Sequence, residues 1–407
     1  MLSTAQALEQ LLRDAHPLAG QEVCDLQDCL GRVLAADVAA LANVPPMDVA
    51  QMDGYAFALA DLAAAQGAGL PVAQRIAAGH PGSALQAGTA ARIFTGAALP
   101  AGADVVVMQE ECQEEAGRVR VLAQIQSGQW IRRCGEDLGL GRTVLQAGMR
   151  LAPQHLGLAA SAGLARLPLQ AQVRVALLLT GDELILPGQP LPPGAIYNAN
   201  RFSLLALLQR AGCAVSLLPP VADTLEATRA ALREAAQQHD LVLSSGGVSV
   251  GGEDHVRAAV QAEGELDLWQ IAIKPGKPLA FGRLRRAPGA GGCAHSWFIG
   301  LPGNPVSACV TFMLFVRPFL RRLSGLPDAP PQAFQLPAHF SWPKADKRNE
   351  FLRARINAEG GLELHPQQGS AVLASLVWGD GLIDNPPGQT IAHGQMVRFL
   401  PFSSLYE

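Results

Sequence analysis

The sequence contains no apolar run long enough to cross a membrane. Its longest candidate, residues 308–316, is well short of the ~18 residues that a membrane-spanning helix needs. The first residues, MLSTAQALEQLLRDA, lack a basic region followed by an apolar stretch, so we expect no secretory signal. These absences argue against a membrane protein and against an exported protein, and they favour a cytoplasmic location.

Cysteine is scarce, and its spacing excludes two kinds of small-domain scaffold. The seven cysteines are an odd number, and no two of them form a C-x-x-C pair. We therefore expect neither a disulfide framework nor a structural zinc site. Charge is also low: 16% of the residues are charged, and the net charge of -4 has the wrong sign for a general nucleic-acid binder.

Apolar residues are abundant, whereas lysine is rare. The 407 residues are 49% hydrophobic, which is enough for roughly two to four domains with their own cores. Of the 31 basic residues just four are lysines, and Lys274 and Lys277 lie three positions apart in IKPGKP. A lysine pair in a chain that otherwise uses arginine is a candidate clamp for an oxyanion.

The pattern along the chain predicts a β-rich first part followed by a doubly wound α/β domain. Residues 20–150 consist of short apolar runs separated by Gly and Pro, which is typical of strands and turns. From VRVALLLT to about residue 325, apolar strands alternate with helical patterns, as in a parallel sheet between helices. Within this domain, we expect Asn200 to cap a helix and residues 285–295 to form a hairpin loop between two strands. A proline-rich linker at 326–332 then leads to a small β domain at 333–407.

A Ser/Gly string follows one of the apolar strands of the α/β domain. In SSGGVSVGGED, Gly246 and Gly247 let backbone N–H groups approach an anion, and Ser245 and Ser249 add hydroxyl donors. Ligands of open α/β sheets bind beyond the carboxyl ends of strands. The alternative is a flexible turn in which Asp254 merely caps the next helix.

Carboxylates follow other strands of the same domain. Asp182 and Glu183 are adjacent in TGDEL, and Asp223 lies at another strand-to-helix junction. Three acidic positions at one edge of a sheet suit an Mg²⁺-assisted reaction on a phosphoanhydride. The alternatives are a solvated acidic turn for the pair and a helix cap for Asp223.

Two further segments offer cations and a rigid loop. IKPGKP places the ammonium groups of Lys274 and Lys277 beside a Pro-Gly turn, where they could bind phosphate or another oxyanion. LPGNP contains Pro302 and Pro305 and opens a long helix, with Ser307 in the first turn. The N-terminus of that helix is expected to receive an anion.

The β-rich part contains three polar islands rich in glycine: QMDGYA, FTGAALP and IRRCGEDLG. Each island alone is equally compatible with an ordinary surface loop. The side chains that could reach a ligand are Asp53, Thr95, Arg132, Arg133, Glu136 and Asp137.

Seven segments occur in an order and at spacings that resemble one known family. They are MDGYA, FTGA, RRxGED, TGDEL, SSGGVSVG, AIKPGKP and LPGNPVS. From about residue 5 to residue 375 the chain is similar to the molybdopterin molybdenumtransferases, the MoeA family that includes the E domain of gephyrin. His255 departs from the family pattern, in which an aromatic residue, usually tyrosine, follows the aspartate.

The resemblance implies an elongated homodimer with four domains in each chain. The implied domains are residues 1–44 with 141–171, a β-rich lobe at 45–140, a molybdopterin-binding α/β domain at 172–325 and a C-terminal β-barrel at 333–407. In the family, each active cleft combines the α/β domain of one subunit with the N-terminal lobes of the other.

The implied reaction is the Mg²⁺-dependent insertion of molybdate into adenylylated molybdopterin with release of AMP, a step of molybdenum cofactor biosynthesis. Transient contacts with molybdopterin adenylyltransferase and with proteins that deliver the cofactor to molybdoenzymes are also implied. By motif, the catalytic positions are Glu183, Asp53, Asp137 and Asp223, and the Mg²⁺ ligands are Asp182 and Glu183. The substrate-binding positions are Thr95, Arg132, Ser245, Gly246, Gly247, Ser249, Asp254, Lys274, Lys277, Pro302, Pro305, Ser307, Arg348, Arg353 and Ser370.

Two other functions stay open on the sequence alone. Molybdopterin adenylyltransferases share the α/β domain and its Ser/Gly loop, but they usually lack the segments that carry MDGYA and RRxGED. A non-enzymatic scaffold is the second alternative, because the gephyrin E domain also clusters receptors. The absence of a long disordered linker favours an enzyme, and a scaffold would bind its partner without needing the carboxylates.

Overall fold

The structure is a computed structural model, and it describes residues 1–222, 224–247, 255–287 and 294–406. Its contacts divide the chain into two compact units. The first unit comprises Met1–Glu22, Gly31–Val33 and Gln170–Glu407, and the second comprises Val23–Leu30 and Leu34–Leu169. The finer division into four domains stays a prediction. No helix in the described ranges is both long enough and apolar enough to span a membrane.

Short helices and strands follow one another along the described chain. The helices are α1 Thr4–Arg13, α2 Leu59–Ala64, α3 Pro153–Ser161, α4 Ala199–Arg210, α5 Leu225–Gln238, α6 His255–Glu263, α7 Pro305–Thr311, α8 Arg317–Leu323, α9 Ala374–Trp378 and α10 Phe402–Tyr406. The strands are β1 Gln21–Asp25, β2 Val38–Ala39, β3 Val49–Ala50, β4 Gly54–Phe57, β5 Leu70–Ile76, β6 Ala90–Ile93, β7 Val105–Met108, β8 Cys112–Glu115, β9 Arg118–Val121, β10 Ile131–Arg132, β11 Thr143–Leu145, β12 Arg166–Gln170, β13 Arg174–Leu179, β14 Leu184–Ile185, β15 Ile196–Tyr197, β16 Ala214–Leu217, β17 Leu241–Ser245, β18 Gly264–Gln270, β19 Ile273–Lys274, β20 Pro278–Arg285, β21 His295–Leu301, β22 Phe334–Pro337, β23 Asn349–Ile356, β24 Leu362–Leu364, β25 Gly381–Asn385 and β26 Met396–Pro401.

The second unit is built on a six-stranded sheet with the order β7-β4-β6-β5-β9-β8. Neighbouring strands are antiparallel except β5 and β6, which run parallel. Side chains of β7 alternate between two cores: Val106 packs with Ile93, and Val107 packs with Phe57. This alternation has the period of a strand, and the β-rich character predicted for residues 45–140 is confirmed.

The first unit contains a six-stranded sheet with the order β16-β13-β17-β21-β20-β18. β16, β13, β17 and β21 run parallel. Along β13, Val175 and Leu177 share a core with α4 and α7, whereas Ala176 and Leu178 share a core with α5 and α6. Helices therefore cover both faces, which confirms the doubly wound α/β domain. The strand is apolar throughout because both of its faces are buried.

One edge of this sheet is antiparallel, which the strand–helix pattern did not predict. β20 is antiparallel to both β21 and β18. β20 and β21 are consecutive strands along the chain and pair directly with each other, as the two strands of a hairpin do. The expectation of a hairpin loop at residues 285–295 concerns their connection, of which 288–293 lie outside the described residues.

Two helices begin differently from the sequence prediction. The cap of α4 is Asn198, whose side chain accepts a hydrogen bond from the Arg201 N–H, and not Asn200. The cap of α5 is Thr224, whereas Asp223, the predicted cap, lies outside the described residues. Both caps are ordinary N-cap residue types, so composition alone did not distinguish neighbouring candidates.

The C-terminal strands form the predicted small barrel. The order β23-β25-β26-β22 is antiparallel, and β24 pairs with β23. A bridge between Ala338 and Leu362 joins the segment after β22 to β24 and so closes the ring of strands. Leu352, Ile383 and Phe399 lie in its core. β19, from the IKPGKP segment, pairs in parallel with β23.

Candidate active site

The carboxyl ends of β13, β17 and β21 meet at one edge of the sheet of the first unit. The register pairs Leu179 with Ser245 and Ser245 with Leu301, so the loops after these residues begin side by side. The loops are TGDEL, the Ser/Gly string and LPGN. Parallel sheets bind ligands at this edge, and the structure brings three of the predicted motifs together there.

The first part of the Ser/Gly string depends on glycine. Gly246 and Gly247 have φ values of +90° and +67°, a region that other residues rarely adopt. A Cβ at Gly246 would lie 3.1 Å from the Thr180 carbonyl oxygen, and one at Gly247 would lie 2.6 Å from a methyl carbon of Val256. Substitution at either position would displace the loop. Residues 248–254, which include the predicted Ser249 and Asp254, lie outside the described residues.

A cleft of about 590 Å³ lies beside this edge. Five separate segments of the first unit supply its walls. The lining residues are Gly246, Gly247, Lys274, Pro275, Gly276, Lys277, Pro278, Pro302, Gly303, Asn304, Ser307, Arg348, Gln368, Gly369 and Ser370. The structure thus gathers most of the predicted substrate-binding positions of the first unit around one space. Ser245 does not line the cleft, because it is buried, with 3% of its surface exposed.

The two lysines of IKPGKP differ in their surroundings. The Lys274 ammonium lies 2.9 Å from Glu350 Oε1 and 3.4 Å from Asp346 Oδ2. Lys277 is exposed and takes part in none of the ion pairs of the described ranges. The sequence predicted that both lysines bind an oxyanion. In the structure, the charge of Lys274 is already compensated, whereas that of Lys277 is available to a ligand.

Two carboxylates behind the cleft had no counterpart in the sequence analysis. Glu350 is 1% exposed and also accepts hydrogen bonds from Trp342 Nε1 and Asn385 Nδ2. Asp346 binds the guanidinium of Arg348, which holds the pKa of that carboxyl well below its usual range. Neither residue belongs to a recognisable motif, so a pairing partner for Lys274 could be found only from the fold.

Lys274, Lys277 and Arg348 line the cleft against the carboxylates of Asp346 and Glu350. These five groups together leave one net positive charge. This net positive charge, beside the hydroxyls that line the cleft, makes the cleft suitable for an anion.

The N-terminus of α7 is less available than predicted. α7 begins at Pro305 and continues through a π-helical segment, Phe312–Val316, into α8. The Val306 N–H donates to the Ser370 carbonyl at 3.0 Å, and Asn304 Nδ2 donates to Ser370 Oγ at 3.1 Å. The loop of the C-terminal domain therefore takes up this donor. Ser307 still lines the cleft, whereas Pro305 does not.

Arg353 does not line the cleft, although the sequence grouped it with Arg348 and Ser370. Its side chain is 1% exposed and donates to Ser375 Oγ and to the carbonyl oxygens of Phe351 and Gly369. Burial lowers the pKa of the guanidinium to about 10. The structure therefore corrects the prediction of direct contact: Arg353 supports the loop at Gly369, which lines the cleft.

The TGDEL loop offers two adjacent carboxylates to Mg²⁺. Asp182 and Glu183 are both exposed. Within the described ranges, no three His, Cys, Asp or Glu side chains converge as a metal site. Mg²⁺ is commonly held by one or two carboxylates together with substrate phosphates and water. The adjacent pair fits this mode, and Asp223 and Asp254 lie outside the described residues.

In the second unit, the MDGYA and FTGA islands are joined by one carboxylate. Asp53 Oδ1 accepts hydrogen bonds from the Thr95 N–H and the Thr95 hydroxyl, each at 2.7 Å. The Thr95 side-chain bond, with the backbone bond, lowers the pKa of Asp53. Arg92 lies across the ring of Tyr55 and donates to the Gly54 carbonyl. Asp53 is therefore ionised and fixed in direction.

The RRxGED island forms a tight turn in the same unit. Arg133 and the Cys134 N–H bind the carboxylate of Asp48, and Glu136 accepts from the Arg133 N–H. Arg132 is partly exposed and Asp137 is exposed. The predicted roles of Asp53, Thr95, Arg132 and Asp137 stay predictions, and their geometry is described within the second unit alone.

Three family profiles match the chain in succession. They are the MoeA N-terminal region (domain I and II) over residues 2–163, the probable molybdopterin binding domain over 176–322, and the MoeA C-terminal region (domain IV) over 335–402. Their order is that of the β-rich part, the α/β domain and the small barrel.

Similar proteins cover the chain from end to end. A protein of Haemophilus influenzae named molybdopterin molybdenumtransferase is 38% identical over 414 residues, with all of both chains covered. One of the same name from Synechococcus elongatus is 38% identical and covers 96% of each chain. The crystal structure of a molybdopterin biosynthesis moeA protein from Pyrococcus horikoshii has a TM-score of 0.79 at 26% identity, covering 98% of this chain and 100% of that one.

Fold, site and similarity define a multidomain transferase built around an α/β domain of the molybdopterin-binding type. More narrowly, the chain belongs to the MoeA family, the molybdopterin molybdenumtransferases, whose work is part of molybdenum cofactor biosynthesis.

Proposed function

We propose that this protein inserts molybdate into adenylylated molybdopterin in an Mg²⁺-dependent reaction that releases AMP. The observation that carries the proposal is the cationic cleft at the carboxyl edge of the sheet. The relatives are named molybdopterin molybdenumtransferase, which supports the choice of molybdate and molybdopterin as substrates.

The cleft has the properties that an oxyanion site needs. Its volume of about 590 Å³ lies within the ~300–1,000 Å³ of usual ligand pockets. Lys277 supplies the positive charge that no carboxylate of the described residues compensates, and Arg348 lines another wall with its guanidinium bound to Asp346. Ser307 and Ser370 supply hydroxyls. Molybdate is a tetrahedral dianion, and the phosphate of molybdopterin becomes one when AMP leaves, so charge with hydrogen-bond donors recognises either one.

The carboxylates of TGDEL are proposed to act on the anhydride. Glu183 would handle the proton of the attacking water, and Asp182 would lie on the metal side. Mg²⁺ bound by this pair and the substrate would neutralise charge on the anhydride phosphates. Asp53, fixed by Thr95, together with Asp137 and Asp223, is proposed to complete the catalytic positions, as the family resemblance implies.

The proposal includes a homodimer that works in the cytoplasm. The resemblance implies that each cleft receives residues of the partner's N-terminal lobes, so Asp53 and Asp137 would act across the dimer. A C2 arrangement would then produce two equivalent clefts.

Purified protein supplied with adenylylated molybdopterin, molybdate and Mg²⁺ tests the function. We expect AMP to appear, and removal of Mg²⁺ or of molybdate to reduce its rate. The same protein supplied with ATP and bare molybdopterin should not form the adenylylated compound. Adenylylation in that second reaction, without AMP release in the first, would identify an adenylyltransferase instead.

A further inference from the structure

One amide side chain joins two of the loops that form the cleft. Asn200 Nδ2 donates to Ser245 Oγ at 2.9 Å and to the Gly303 carbonyl oxygen at 2.7 Å. Ser245 Oγ in turn donates to the Pro302 carbonyl oxygen at 3.2 Å. Both hydrogens of the amide are thus used, and a chain of three hydrogen bonds links the Ser/Gly string to the LPGN loop.

These bonds are not needed to form the helix on which Asn200 lies. Asn200 is the second residue of α4, and the cap of that helix is Asn198, which binds the Arg201 N–H. The side chain of Asn200 reaches instead toward the ends of β17 and β21. The Asn200 amide therefore contributes to the arrangement of the two loops and not to the start of the helix.

The two loops are already fixed at their start, because Ser245 pairs with Leu301 and the Gly246 N–H donates to the Leu301 carbonyl oxygen at 3.2 Å. Asn200 adds a tie beyond that start, at Gly303. Gly246 follows Ser245 directly, Gly247 follows next, and Gly303 is itself a partner of the amide; all three line the cleft. Glycine is the residue with the greatest backbone freedom. A binding loop that is ordered before its ligand arrives does not lose that freedom on binding, and this raises affinity.

We propose that Asn200 is a positioning residue that holds the Ser/Gly string and the LPGN loop at the spacing that a tetrahedral oxyanion requires. The identity of that anion as molybdate or the pterin phosphate rests on the proposed function. The positioning itself rests on the two bonds of the amide.

The test compares Asn200→Ala with Asn198→Ala in the full chain, with inorganic molybdate as the probe in calorimetric titrations. Asn200→Ala loses both loop bonds, and we expect molybdate to bind about tenfold more weakly, since each such bond contributes about a factor of ten or less. Asn198→Ala removes the cap of the same helix, so we expect a lower Tm with unchanged molybdate affinity. A purely structural role of Asn200 would make the two variants alike.

Asn200→Asp guards against a variant that fails to fold. It keeps the size of the side chain and can still accept from the Ser245 hydroxyl, but it cannot donate to the Gly303 carbonyl. We expect weaker molybdate binding here too. Wild-type affinity in Asn200→Asp and in a folded Asn200→Ala would overturn the proposal.

Lys277→Ala separates this inference from the proposed function. If the wild type binds molybdate, and Lys277→Ala weakens binding while the Asn200 variants do not, the positioning role alone is wrong. If the wild type does not bind molybdate, the oxyanion cleft and the positioning role are both wrong.

Discussion

The two lysines of IKPGKP should respond differently to removal, although they are three positions apart. Lys277→Ala removes an exposed ammonium from the cleft wall and leaves no buried group without a partner. Two unit charges at ~4 Å interact by ~1 kcal/mol in water, and a dianion doubles this to ~2 kcal/mol. That value corresponds to a roughly thirtyfold larger dissociation constant for molybdate in Lys277→Ala.

Lys274→Ala should act mainly on stability. It removes the ammonium from Glu350, whose side chain is 1% exposed. Breaking a buried ion pair typically costs ~3–5 kcal/mol, which is an upper limit here for two reasons. Lys274 is itself 35% exposed, so solvent screens the pair, and Trp342 and Asn385 still bind Glu350.

Calorimetric titration with molybdate and thermal unfolding of each variant measure the two effects separately. Lys344→Ala, which removes an exposed lysine that does not line the cleft, is the matched control for charge. Lys277→Arg should restore binding only in part, because a guanidinium fork differs from a point charge. An unchanged molybdate affinity in Lys277→Ala, or an unchanged Tm in Lys274→Ala, would refute the assignment of the two lysines.

Three further predictions concern the carboxylates. Glu183→Gln should keep the fold and slow AMP release by ~10²-fold or more, as for loss of a general acid or base; turnover at the wild-type rate would contradict its role. Co-expression of Asp53→Ala with Glu183→Gln should restore activity, up to about half per mixed dimer on symmetry grounds; tagged mixed dimers without activity would show that the cleft is built within one subunit. Asp346→Asn should flatten the pH dependence of stability in acid. Arg348 lowers the pKa of Asp346, so ionised Asp346 adds to the free energy of unfolding at pH values above its ordinary pKa of 3.8. This stabilisation is lost as the pH falls through the lower pKa of the folded state. Identical acid unfolding curves for the wild type and Asp346→Asn would contradict this prediction.

The sequence was sufficient where one physical pattern dominates. A strand such as β13, apolar on both faces, is expected only near the centre of a parallel sheet. The glycine and serine residues that follow the neighbouring strand β17 then indicate the edge at which a ligand binds. The cleft was found in this way, because motifs that follow parallel strands meet at the same edge. A local signal is also sufficient at the start of α1, where Ser3 and Gln6 form a capping box with the spacing typical of helix N-termini.

The sequence was insufficient where contacts join distant segments. The pairing of Lys274 with Glu350 depends on β19 lying beside β23, and no local pattern predicts that two domains share these strands. Arg353 carries the same charge as Arg348, but burial decides that only Arg348 reaches the cleft. Asn200 has the residue type of a helix cap and precedes an apolar helical stretch, but its bonds to Ser245 and Gly303 depend on the tertiary fold.

The ratio of molybdenum incorporated to AMP released measures whether metal insertion is coupled to cleavage of the anhydride. Purified protein is given adenylylated molybdopterin and Mg²⁺ at increasing molybdate concentration, and both products are counted in the same sample. We expect one molybdenum atom bound to molybdopterin for each AMP released. Lys277→Ala should give the same ratio, but at higher molybdate concentration. AMP release at full rate without molybdate, or without molybdenum appearing on the pterin, would contradict it.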